Sequence, residues 1–596
     1  MAAREGGTNT IQSPLVSVEF APKMLRLTKM RRPLLILILI ILEVRSSFLL
    51  AQTQITDIFG RSLNTHGITL VDWDGYMANP LMKFYLLPPT NAILPGSASL
   101  TANDTRIYFG TPSSVSTNGP STTISLSSST TAVPVYLSIF PAHTSPDGNS
   151  TLTIIFTGAN NAKQTNTVPI QVIDEDSHTT NAFVVTANFD RDQTGFFTNP
   201  TARMLVTQAA NDWTYYFTGM NLDPVAAGTE TTYIWSNNFD GGYYFTNTNN
   251  YTGYLLYAYG TTNATDISGG EGSYSGNVQT SSGVPLTMKR SGGFEANIIG
   301  NYNTLGWLFL TNDDDWLATG NLGDETNDFF SIAHHEIGHA LIFNPAHPSF
   351  ATALANGAFT SSAVTNYYGG SAPIDASNDH LTGVIDPESG QGAFGYEYYG
   401  NIPRNRWTMT KIDLLCAQEV GYVLKPTSAF APFTFVTNAL PAAYTTIPFT
   451  FPFSATGGIP VYDWDVPVGA LPPGLVLDPY SGMLTGTPTS NGVFNFTVRV
   501  RDYHETGSGL TQQVTLNITP PPPVQLGISQ SVGATNGKLQ LTFLGTSGQQ
   551  QITQSSTNLL KWTPIATNTF ATNLFQMILS NTLQFPSQFF RSVTIP

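Results

Sequence analysis

His335-Glu336-Ile337-Gly338-His339 sets two imidazoles four residues apart, with a carboxylate beside the first. On a helix, positions i and i+4 share one face, so His335 and His339 can converge on one zinc ion. A catalytic zinc takes three protein ligands and keeps a fourth position for water. The metal lowers the pKa of that water, and Glu336 is placed to take its proton as the water attacks a peptide carbonyl. The same ion would polarise the carbonyl and steady the developing oxyanion. Histidine is also unevenly spread, since five of the nine (His334, His335, His339, His347 and His380) fall between positions 334 and 380. Metal sites leave such clusters.

These side chains need a helix, and the flanking residues supply its signals. The segment 324–334 brings acidic and capping residues ahead of the apolar turns, and Asn344-Pro345 brings a stop. Upstream, a strand is expected over 183–187 and a helix over 200–216, with Ala202, Leu205, Val206, Ala209, Ala210 and Trp213 on one apolar face. Strand-like segments follow at 232–235 and 306–310.

With 596 residues the chain is too long for one core. Only 11% of residues are charged while 12% are aromatic, and Thr, Ser, Asn and Gly are plentiful, which suits β-rich extracellular modules. A net charge of −15 without Lys or Arg runs argues against a nucleic-acid partner. Residues 1–51 read as a signal peptide or N-terminal anchor: Lys29, Arg31 and Arg32 precede an apolar run over 34–42, and Ala51 offers a cleavage point. A secreted or cell-surface protein is expected. Cys416 is the single cysteine, so no internal disulfide can form, and because it follows the histidine motif it cannot act as a prodomain thiolate on the metal.

The pattern divides the chain into all-β and mixed segments. Short alternating runs over 52–178 predict a β-sandwich, and 179–425 reads as mixed α and β. Beyond it lie β segments at 426–519 and 524–596, separated by the stiff run Pro520-Pro521-Pro522-Pro523. Gly458-Ile459-Pro460-Val461-Tyr462-Asp463-Trp464, Leu471-Pro472-Pro473-Gly474-Leu475 and Gly482-Met483-Leu484-Thr485-Gly486-Thr487-Pro488 resemble the immunoglobulin-like modules of exported bacterial proteins. That resemblance implies a β-sandwich spacer or binding module. Ser555-Ser556-Thr557-Asn558-Leu559-Leu560-Lys561-Trp562 and Phe589-Phe590-Arg591 look like a small C-terminal β module of similar proteins.

His335-Glu336-Ile337-Gly338-His339-Ala340-Leu341 is similar to the helix of the metzincin peptidases in its matrixin form. The resemblance implies a multidomain protein with an α+β metzincin-like catalytic domain flanked by all-β sandwich modules. The longer metzincin pattern H-E-x-x-H-x-x-G-x-x-H turns at the glycine to return a third histidine to the metal. Here Ile342 and Pro345 occupy those two places. His347 could serve through an altered turn, or His380 across a long insertion. His380 is preferred, because Ile342 would let the helix run on another turn, which a distant ligand tolerates. Asp379 is a carboxylate alternative. Met409, just before an amphipathic helix ending at Gly421, looks like the metzincin Met-turn and would floor the metal site without binding it. Asp313-Asp314-Asp315 could bind Ca2+ through oxygen ligands, although a solvated acidic loop is the simpler reading.

Two functions are therefore expected to compete. One is an exported zinc endopeptidase acting on protein or peptide, with β modules that hold it near a surface polymer. The other is an adhesion or scaffold protein whose peptidase-like domain has lost catalysis, and the displaced third ligand keeps it open.

Overall fold

In Met82–Leu87 the buried side chains are Met82, Phe84 and Leu86, every second residue, as a strand with one face on a core requires. The same alternation in Asn149–Thr157 buries Leu152, Ile154 and Phe156. A computed structural model shows a multidomain protein built mainly of such sheets, with few helices. The structure describes residues 52–594 apart from 74–76, 142–147, 175–184, 219–225, 235–242, 262–271, 276–293, 302–307, 310–326, 345–347, 376–379, 395–406, 504–508, 531–537, 581–586 and gaps of one or two residues. Residues 1–51, expected to be a signal peptide or anchor, lie outside the described residues, as do His347, Asp379 and Asp313-Asp314-Asp315.

Two five-stranded sheets form the first sandwich. One runs Gln54–Thr56, Met82–Leu87, Val133–Ile139, Ile107–Thr111, Ser114–Asn118 in spatial order. The other runs Ile68–Asp72, Lys163–Asp174, Asn149–Thr157, Gly96–Ala102, Ser121–Leu126, with Ile68–Asp72 parallel to its neighbour and the remaining pairs antiparallel.

A mixed four-stranded sheet follows. Val185–Asn188, Tyr254–Thr261 and Phe294–Asn301 are parallel, and Gly272–Ser275 closes one edge antiparallel. Helix Pro200–Tyr215 starts with Pro200 in the first turn, where its missing N–H costs nothing, and Asn199 Oδ1 accepts from the Thr201 and Ala202 N–H groups. Its apolar face, including Leu205, Val206 and Trp213, is fully buried. Helix Phe329–Leu341 follows a two-residue strand, Asn327–Asp328, paired parallel with Leu308–Phe309. Trp213 Nε1–H donates to the His334 carbonyl at 2.8 Å and joins the two helices.

The expectation that Ile342 prolongs the motif helix is overturned. The helix ends at Leu341; the Ile342 and Phe343 N–H groups both donate to the Gly338 carbonyl, which closes the last turn. Packing adds to the stop that Asn344-Pro345 gives in sequence. Phe343 is fully buried and stacks on Phe394 at 4.1 Å between centroids, while its carbonyl is taken by the His339 ring. Continuing the helix would forfeit both contacts.

Two smaller β units complete the chain. In one, Asp463–Gly469, Gly492–Arg501, Leu510–Thr519 and Ala443–Tyr444 face Phe449–Pro452, Met483–Gly486 and Leu475–Leu477 over a core that includes Phe451, Trp464, Leu484 and Val498. The other pairs two three-stranded sheets around Leu541, Phe543 and Phe570. Among the described residues no helix is long and apolar enough to cross a membrane.

Candidate metal centre

The Phe329–Leu341 helix brings His335 and His339 onto one face, and a loop reached after the helix Ser362–Tyr368 delivers His380 opposite them. The three Nε2 atoms form a nearly equilateral triangle with edges of 3.1, 3.1 and 3.2 Å. Imidazole nitrogens about 2.0–2.1 Å from a tetrahedral zinc stand roughly 3.3 Å apart, so the triangle has the size that ion needs. His335 is 1% and His339 9% exposed, which keeps their donor atoms from bulk water, while His380 is partly buried.

Tautomers support the same reading. His339 Nδ1 lies 2.8 Å from the Phe343 carbonyl, which can only accept, so Nδ1 carries the hydrogen and Nε2 keeps its lone pair. His380 Nδ1 faces the Asp375 carboxylate at 3.6 Å, and the two residues are also tied through the Asp375 N–H to the His380 carbonyl. Lone pairs aimed at one another at about 3 Å repel unless a cation sits among them. Burial, with His339 and His380 adding to it, holds the His335 imidazole well below its ordinary range and keeps it neutral for metal binding.

Phe394 is the residue that sequence reasoning missed. Its ring stacks on His335 at 4.5 Å, meets His339 edge-on at 4.8 Å, and its carbonyl accepts from the Leu381 N–H next to His380. One residue thereby touches both helix ligands and fixes the chain beside the third. Gly338 makes the approach feasible, because a Cβ there would collide with the Phe394 ring and come within 3.0 Å of Trp213 Cζ2. Trp407 meets His335 from another side at 6.3 Å, and its backbone N–H donates to the Ser331 hydroxyl on the motif helix.

Glu336, between the two histidines on the helix, is 7% exposed, and Met409 is fully buried just ahead of Lys411–Val420. His334, part of the histidine cluster in sequence, takes no part in the triangle: its Nε2 is 2.8 Å from Asp212 and its Nδ1 2.9 Å from the Phe330 carbonyl. Cys416 is buried, and burial pushes its thiol well above the usual range, as expected of an apolar packing residue.

Asp413 joins this frame to the helix behind it. Its Oδ1 accepts the Phe394 N–H at 2.8 Å, and its Oδ2 accepts from the Thr410 N–H and hydroxyl, capping Lys411–Val420. Burial pushes its carboxyl up to about 7 against the lowering effect of those bonds. The folded state thus holds this proton more tightly than the unfolded chain. Stability should fall as pH rises from the ordinary carboxylate range to about 7, then level off. In metal-free protein, Asp413→Asn should flatten the dependence of Tm on pH over that window; parallel curves for the two proteins would remove Asp413 as its source.

The geometry can be set beside known proteins. Residues 431–519 match the family model described as "Putative Ig domain". No curated protein shows a significant match to the chain. Among solved structures, a "putative alpha-galactosidase/melibiase" of Bacteroides fragilis is 21% identical over 16% of this chain and 18% of its own, with a TM-score of 0.13. The chain spans less than a fifth of that relative. The major pilin subunit BcpA of Bacillus cereus is 12% identical over 41% of this chain and 69% of its own, with a TM-score of 0.17. The glucan-locus protein SGBP-B of Bacteroides ovatus is 9% identical over 88% and 93%, with a TM-score of 0.12. Similarities this slight carry no argument about function.

Proposed function

We propose that this chain is an exported zinc-dependent endopeptidase, with a metzincin-like unit in 179–425 carried among β modules. The observation that carries the reading is the convergence of His335, His339 and His380 through Nε2, with Glu336 on the same helix. His335, His339 and His380 would hold the ion. Bound there, zinc supplies Lewis acidity to the scissile carbonyl and makes the attacking water more acidic. Glu336 accepts the proton of that water and returns it to the departing amine. The Phe343 carbonyl fixes the His339 tautomer, and the Phe394 ring holds His335 in orientation. Met409 lies in the segment that begins with Trp407 against His335, in keeping with a Met-turn role.

Zinc removal tests the reading. Chelation should lower hydrolysis of an unfolded protein substrate by more than about 100-fold, and one equivalent of zinc should restore it. Stoichiometric zinc without cleavage of several unfolded substrates would favour the adhesion or scaffold reading, which the immunoglobulin-like segment keeps in view.

A further inference from the structure

We infer that the N-terminal sandwich is a permanent part of the catalytic unit, holding the Met409 segment from behind, and is not a propeptide released on activation. The inference rests on the zinc-site reading above and concerns how that site is kept in shape.

The link to the metal centre runs through the backbone. Met77 pairs in parallel with Met409, and the Ala78 N–H donates to the Met409 carbonyl at 2.9 Å. Slightly further along the same segment, the Leu81 N–H donates to the Glu388 carbonyl at 2.7 Å. Glu388 in turn binds the Lys411 ammonium at 2.9 Å, and neighbouring Asp386 accepts the Ile412 N–H at 3.1 Å. The sandwich thus grips both the Met409 segment before the Lys411–Val420 helix and the loop that anchors the start of that helix. Met77, Asn79 and Met409 are all fully buried.

Asn79 shows that the gripping segment is itself built into the sandwich. Its side-chain oxygen accepts the Trp73 N–H at 2.7 Å, and its amide donates to Asp72 at 2.7 Å and to the Ile139 carbonyl at 3.0 Å. Departure of the sandwich would break the Ala78–Met409 and Leu81–Glu388 hydrogen bonds together. It would leave the Met409 and Glu388 carbonyls without their donors and wet a single buried cluster that runs from Leu137 through Met77 and Met409 to Ile337.

The sandwich is fastened to the immunoglobulin-like segment as well. Arg61 of the sandwich forms a 2.6 Å ion pair with Asp57, and its Nη1 donates to the carbonyls of Tyr462 and Pro479 in the immunoglobulin-like segment. Tyr503 returns the contact through its hydroxyl to the Lys83 carbonyl. The sandwich is thereby tied to two later parts of the chain, and losing it would break both sets of contacts.

A site-specific protease sequence inserted within 175–184 of the full chain tests this. After cutting, the two pieces should elute as one species at micromolar concentration, and zinc affinity, read by competition with a chelator, should stay within about twofold of the uncut protein. Separation of the N-terminal piece, or a rise in hydrolysis once it is removed, would overturn the inference. Co-elution and zinc affinity are read without turnover, so an inactive protein would defeat the peptidase reading while leaving this result intact.

Discussion

Glu336→Ala should abolish peptide hydrolysis, with kcat lower by about 10³-fold or more, while one zinc per chain remains bound. The separation of the two effects is the point. On the proposed reading the three imidazoles would hold the metal without the carboxylate, and Glu336 is buried to 7% exposure on a helix whose packing the truncation leaves largely in place. What would disappear is the group proposed to take a proton from water and deliver it to the leaving amine. Kinetics on an unfolded protein substrate, with zinc quantified in the same samples, provides the check. Undiminished turnover in the variant would mean that another group is the base, and the role assigned to Glu336 would fall.

His380→Ala should weaken zinc binding by more than about 100-fold, whereas His347→Ala should leave it within about twofold of the parent. Nε2 of His380 closes the triangle with the two helix histidines at 3.1 and 3.2 Å. Its loss leaves two imidazoles, too few for a catalytic zinc. Chelator competition measures the affinity directly, and the zinc-induced rise in Tm should shrink in parallel. If the two variants behaved the other way round, the third ligand would have to be reassigned to His347.

The histidine pair was legible in sequence because helical spacing alone decides that His335 and His339 share a face. His380 could be nominated but not placed, since its approach depends on how 41 residues fold back from His339. The end of the motif helix was misjudged for a related reason. Asn344-Pro345 marks the stop locally, but the exact exit at Leu341 goes with Phe343 packing on Phe394, a residue 51 positions away in the sequence. Phe394 leaves no signal of its own, because an aromatic residue in an apolar stretch reads as ordinary core. The same is true of Ala78, whose contribution is made through its main-chain N–H and so is blind to side-chain identity.

The long return from His339 to His380 has a consequence for stability. An ion bound by both residues closes a 41-residue loop, as a covalent staple would, in a protein whose single cysteine cannot supply one. On loop-closure entropy alone such a staple stabilises the folded state by about 4 kcal/mol. On the proposed reading, binding the ion would give rigidity and cutting power in the same event, and depleting the surroundings of zinc would take both away together.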